Sequence, residues 1–153
     1  MRKIIGLLVL LVCSSPVWAH ASIYEAAVER PLPKVYKALK GELEDRSLFV
    51  VFEADIGANM ERFADRWGDD YNRNELEAIK SMVFCNASYS NQVSNADPSM
   101  LALCPLHLTV IHKDGLTRVL FLRPSDVAGE SPAAEVLEEV EARVIKAIDA
   151  ATG

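Results

Sequence analysis

The dipeptide Asp114-Gly115 constrains this chain more than any other short stretch. It separates two apolar runs, 106–112 (LHLTVIH) and 117–122 (TRVLFL). A two-residue connection between such runs specifies a hairpin, because a type I′ turn needs positive φ at both central positions and Asp-Gly supplies it. Any fold for this sequence must therefore place these two runs side by side and antiparallel.

Other elements arrange themselves around that hairpin. Residues 34–44 read as a helix in which Val35, Leu39 and Leu43 recur on one face, with Pro33 suited to the first turn. Residues 48–54 (LFVVFEA) are β-branched and aromatic and predict a largely buried strand, and 79–84 predicts another. Between them, Met60, Phe63, Ala64 and Trp67 define a helix over 58–67 that Gly68 stops. Residues 89–97 read as a loop or short helix. Ser131 and Pro132 form a cap and first-turn pair for a terminal amphipathic helix whose stripe is Ala133, Leu137, Val140, Val144 and Ile148. Its acids Glu135, Glu138, Glu139 and Glu141, followed by Arg143 and Lys146, suit the helix dipole and i,i+4 pairing. About four strands and three helices without strict βαβ alternation predict an α+β domain, with one mixed or antiparallel sheet and helices on one face.

The N-terminus is a separate unit. Arg2 and Lys3 precede an apolar run, 4–12, followed by Ser14, Ser15 and Pro16, and Val17 and Ala19 place small residues where signal peptidase cuts. Residues 1–19 read as a signal peptide and 20–153 as one domain. Nine apolar residues are too few for a spanning helix, which needs about 20. Cys13 raises lipidation, but Val12 stands where a lipoprotein peptidase needs a small side chain, so Cys13 is expected to be discarded. Removing Arg2 and Lys3 moves the formal charge from −6 to −8. An acidic chain lacks the clustered cations that neutralise phosphates, so nucleic acid is not an expected partner.

Three short motifs carry a family resemblance: Phe84-Cys85-Asn86, Asp97-Pro98, and Cys104-Pro105-Leu106 leading into the hairpin. Together they resemble the bacterial domain of unknown function 302 family over roughly 37–127, with the terminal helix fitting behind. The resemblance implies a small α+β fold, homodimerisation and no established biochemical activity. The family's commoner Asn-Pro step is Asn86-Ala87 here, so a role tied to that proline does not carry over. A bacterial exported protein would be periplasmic or secreted.

Without Cys13, the remaining thiols are Cys85 and Cys104, with eighteen residues between them. Export favours pairing them, and closing that loop would stabilise the fold by about 3 kcal/mol. The other reading is a reactive thiol-disulfide pair with Pro105 beside Cys104, although no CxxC spacing lowers a thiol pKa. Asn86 and Pro105 flank the pair and are candidate binding residues.

Metal chemistry has thin support. His20, exposed as a new N-terminus, could chelate copper with one further imidazole, but His107 and His112 are five apart on one strand and face opposite ways. Asp70, Asn72 and Asn74 copy the start of a calcium loop, yet Glu75 replaces its glycine and Ser81 its bidentate acid, which favours turn chemistry. There is no G-x-S-x-G elbow, HExxH or glycine-rich phosphate loop. Asn86-Ala87-Ser88 is a formal glycosylation sequon, relevant only in a eukaryotic secretory pathway. The expected function is an exported binding or accessory domain without catalysis or cofactor, meeting a small ligand or another exported protein. Thiol-disulfide redox work through Cys85 and Cys104 is the alternative.

Overall fold

The computed structural model describes residues 22–153. The predicted leader, Cys13 and the candidate ligand His20 lie outside the described residues. The described chain runs β1 (Ile23–Val28), α1 (Leu32–Asp45), β2 (Phe49–Asp55), α2 (Ile56–Glu61), α3 (Ala64–Trp67), β3 (Ala78–Cys85), α4 (Ala87–Ala96), a 3-10 segment (Pro98–Leu103), β4 (Leu106–Lys113), β5 (Leu116–Leu122), α5 (Pro124–Ala128) and α6 (Ala134–Thr152). The strands form one sheet in the order β1-β5-β4-β3-β2, with every pairing antiparallel. The fold is thus α+β as expected, but the sheet has five strands rather than four and no parallel pair.

The β4–β5 hairpin turns at Asp114 and Gly115, whose φ values of 49° and 79° are the left-handed conformations the dipeptide suits. Lys113 pairs with Leu116 across it, and the register continues to Leu108 opposite Phe121. The fifth strand, β1, lies along the far side of β5 with Ile23 opposite Leu122 and Val28 opposite Thr117. Its sequence, IYEAAV, has the right alternation, because Tyr24, Ala26 and Val28 turn toward the core. It lacks bulk, however, and its hydrogen-bonding partner is far away in the sequence, Ile23 facing Leu122.

Helices α1 and α6 pack on each other and on one sheet face. The stripe Val35, Leu39 and Leu43 is completely buried, as are Val144 and Ile148 of α6. They close over Met82 and Phe84 of β3, Leu108 and Val110 of β4, and Val119 and Phe121 of β5. A smaller cluster under α4 and α5 joins Val93, Ala128, Ala133 and Leu137.

Several local expectations need correction. The strand expected to be largely buried, β2, is an edge of the sheet and exposes Phe49, Val51 and Phe52. The single helix over 58–67 is two short helices interrupted near Phe63, which stands at φ −114° and ψ 7°. Asp55 starts α2 early by accepting the Ala58 N–H at 2.9 Å. The expected apolar stripe finds no surface to cover it: Phe63 and Trp67 stay exposed and stack on each other, centroids 5.4 Å apart. Gly68 does stop the segment, at φ 51°. On α6, Glu141 is not a solvent-facing acid. It is 4% exposed and binds Arg123 at 2.8 Å and the Ser125 N–H at 3.0 Å, which holds α5 against α6.

The cap position of α6 is Ala133 and not Ser131, and Pro132 precedes the helix, so the expected cap and first-turn pair is not formed. Ser131 instead ties down the approach to the helix. Its hydroxyl donates to Asp97 at 2.7 Å and accepts from the Ala133 N–H at 3.2 Å. Asp97 also accepts from Ser99, through both backbone and hydroxyl, so the Asp97-Pro98 step ties the end of α4 to the start of α6. Those donors hold its carboxyl below the ordinary carboxylate range, the Ser99 hydroxyl contributing most.

Candidate functional site

Two places carry features that a purely structural chain would not need. The first is a cavity where the ends of β3 and β4 meet α4 and α6. Cys85, Ser90, Cys104 and Pro105 line it together with Phe84, Val93, Leu137 and Val140. Its volume is about 20 Å³, which is room for one water and not for an organic substrate.

The expected bond between Cys85 and Cys104 is not formed in this structure; both are free, half-buried thiols. The fold nonetheless brings them to one cavity, with the Ser90 hydroxyl between them. Cys85 Sγ shares a 3.3 Å hydrogen bond with Ser90 Oγ. Burial pushes the Cys104 thiol up from its ordinary pKa; a hydrogen bond to Ser90 offsets part of this, and the neighbouring Cys85 adds to it. A raised pKa keeps Cys104 protonated and weakly nucleophilic at neutral pH. Ser90 was invisible as a site residue in the sequence. The cue that could have found it is helical: it sits four residues beyond Asn86, which caps α4.

The flanking candidates have structural work. Asn86 accepts the Tyr89 N–H at 3.0 Å and donates to the Ser47 carbonyl at 2.8 Å, so its carboxamide joins α4 to the turn before β2. Pro105 follows a cis peptide bond from Cys104 and lines the cavity wall.

Of the other candidates, His112 is inward-facing and bonded to Thr117 at 2.8 Å, whereas His107 is exposed on the opposite face, as their spacing requires. Asn72 spends its carboxamide on a turn, accepting the Leu76 N–H at 3.0 Å and donating to the Leu76 carbonyl at 2.9 Å. Asp70 pairs with Arg73 rather than with the two asparagines.

The second place is the sheet face turned away from α1 and α6. Alternation along the strands, combined with the register, assigns to it Ile23, Leu122, Ile111, Val83, Phe52 and Phe49. Phe52 is 60% and Phe49 57% exposed, and Ile23 and Leu122 are each 42% exposed. Glu25 and Arg118 cross this face as a bidentate pair with two 2.7 Å bonds. Arg118 draws the Glu25 carboxyl below its ordinary pKa. Toward the hairpin the face dips into an open groove of about 830 Å³, lined by Ile111, Lys113, Leu116, Arg118 and Glu29. The apolar side chains share this face with His107, Thr109 and the Glu25–Arg118 pair; large exposed apolar area gathered on one face is the kind of surface proteins use for association.

Residues 24–151 match the model of the family described as domain of unknown function DUF302. The chain belongs to the DUF302 family. Among solved structures, an uncharacterized conserved protein DUF302 from Bacillus stearothermophilus is similar at 17% identity, with a TM-score of 0.71 over 84% of this chain and 97% of that one. That likeness concerns the fold. No curated protein matches the chain. For this DUF302 chain the open sheet face and the thiol cavity therefore have to be interpreted from their own chemistry. No helix among the described residues is long and apolar enough to cross a membrane.

Proposed function

We propose that this chain is an exported binding or accessory domain, cut after Ala19 to leave 20–153 in the periplasm or outside the cell, and that it acts by presenting its open sheet face to another exported component. The observation that carries this reading is the uncovered apolar face itself. Burying even half of its exposed Phe, Ile and Leu area would contribute several kcal/mol at about 25 cal/mol per Å². Catalysis through the thiols is disfavoured by the small size of the cavity that holds them and by the raised pKa of Cys104.

In the oxidising compartment that export implies, Cys85 and Cys104 are assigned a structural disulfide, formed when the two thiols lose two protons and two electrons to the compartment's oxidant. Such a bridge would pin α4 and the 3-10 segment to the sheet. A thiol-disulfide exchange role is the second reading, favoured by the convergence of both thiols on one cavity. Equilibration with a dithiol redox buffer separates the two. A structural bridge has a potential below about −300 mV and no exchange turnover with a model disulfide peptide. A potential above about −230 mV, with turnover, would transfer the assignment to redox exchange.

A further inference from the structure

We infer that the outer edge of β1 docks an extended segment of another protein, one that sets a Lys or Arg opposite Glu25 and apolar side chains opposite Ile23 and Ala27. This surface is distinct from the open face, because an edge recognises a backbone and a face recognises side chains.

The backbone of β1 dictates what can bind it. β1 is the end strand of the sheet and pairs with β5 alone. The Arg123 N–H donates to the Ser22 carbonyl at 2.9 Å, which sets the phase of the antiparallel ladder. Tyr24, Ala26 and Val28 therefore exchange bonds with β5, while Ile23, Glu25 and Ala27 turn their N–H and C=O groups outward. No other backbone group among the described residues bonds to them. They recur about every 6.8 Å along one line, a spacing that another extended chain matches.

The two edges of the sheet are not equally guarded. On β2 the register breaks between Val50 and Phe52, and such a bulge bends an edge strand away from further pairing. β1 keeps its register unbroken from Ile23 to Val28 and contains no Pro, Lys or Arg, the residues that close a natural edge. Its one charge, Glu25, is drawn along the open face by Arg118 through two 2.7 Å bonds and leaves the line of approach clear.

Charge selects the occupant. A two-fold pairing of β1 with β1 of another copy, in the register that matches Ile23, Glu25 and Ala27, sets Glu25 against Glu25, and like charges directly opposite destabilise a strand pair. A segment with Lys or Arg at that position meets a carboxylate whose side chain is 41% exposed and whose lone pairs Arg118 fills only in part. On either side, Ile23 is 42% exposed and Ala27 is small and exposed, which leaves room for a Val or Ile opposite each.

The probe is the blocked peptide acetyl-Ser-Val-Thr-Lys-Thr-Val-Ser-amide, titrated into the purified protein and followed by NMR. At a peptide concentration about ten times the measured dissociation constant, exchange of the Ile23, Glu25 and Ala27 amide protons should slow about tenfold, with Tyr24 and Ala26 unchanged. Methylating the backbone nitrogen of the peptide's Lys, which donates to β1 in this pairing, should abolish binding, whereas methylating a Thr nitrogen, which points away, should not. Replacing that Lys with Glu should raise the dissociation constant at least about tenfold, and so should Ala27→Pro, which removes an outward N–H that the fold does not use. If Ala27→Pro does not fold, the methylated peptides decide on the unaltered protein. Absence of binding, indifference to the Lys-nitrogen methyl, or equal affinity for the Lys and Glu peptides overturns the assignment. Protection of the same amides without peptide, rising with protein concentration, would put a second copy on the edge and overturn it too. Binding that Phe52→Glu abolishes while the β1 amides stay unchanged would put the peptide on the open face, so that the edge assignment fails and the face reading stands.

Discussion

Replacing Phe84 with alanine should lower the stability of the fold by about 4 kcal/mol, the middle of the range for truncating a fully buried aromatic. Phe84 is completely buried and belongs to the main core beneath α1 and α6 while also forming a wall of the thiol cavity. Its ring contributes the transfer free energy of its apolar surface, and its loss leaves a void that the rigid sheet between Val50 and Leu106, its neighbours on β2 and β4, cannot close. The readout is the urea midpoint at fixed m-value. A second readout tests the local geometry: reduced Phe84→Ala should react faster with a thiol reagent at Cys85 and Cys104, because the void opens beside both. A loss under about 1.5 kcal/mol, or unchanged thiol reactivity, would show that Phe84 does not seal that cavity.

The second large effect belongs to Glu141. Burial alone would push its carboxyl up, but the Ser125 hydroxyl and backbone N–H, then Arg123, outweigh this and hold it below the ordinary range. A carboxylate with a depressed folded pKa contributes stability that is present above its unfolded value, about 4.3, and disappears as pH falls through the lower folded value. Glu141→Ala should cost about 2 kcal/mol near neutral pH. Arg123 is 40% exposed at its side chain and can be rehydrated, so the loss stays below the 3 to 5 kcal/mol of a fully buried broken pair. The N–H at the start of α5 also loses its acceptor. As pH falls through the lowered folded value, the wild type and the variant should converge, since the wild-type carboxyl becomes protonated. Denaturation along a pH series descending from 7 checks the sign; a gap that persists or widens in acid would mean that Glu141 contributes through packing and not through its charge.

What could be read from the sequence was mostly short-range. Asp114-Gly115 identified its hairpin because the turn's positive φ values are a property of two residues, and Val35, Leu39 and Leu43 identified α1 because one helical face recurs within eleven residues. The stripe of α6 was legible for the same reason. β1 was not, because Ala26 and Ala27 give weak strand signal and the pairing that defines it lies on β5. The Phe63 and Trp67 stripe misled, since periodicity reports a potential apolar face and not the presence of a surface to cover it. Glu141 looked like its exposed neighbours Glu138 and Glu139 because only the return of Arg123 and Ser125 buries it. Cys85 and Cys104 were recognisable as a pair by arithmetic, whereas the open sheet face required the register of all five strands.

Export and the oxidised thiol pair are checked together by the intact mass of the protein recovered from a periplasmic fraction under non-reducing conditions. A single chain beginning at His20 is expected, with a mass two hydrogens below that of the reduced sequence 20–153 and with alkylation adding nothing until a reductant is supplied. A chain that keeps its first nineteen residues, or one whose Cys85 and Cys104 are both alkylated without reduction, would contradict it.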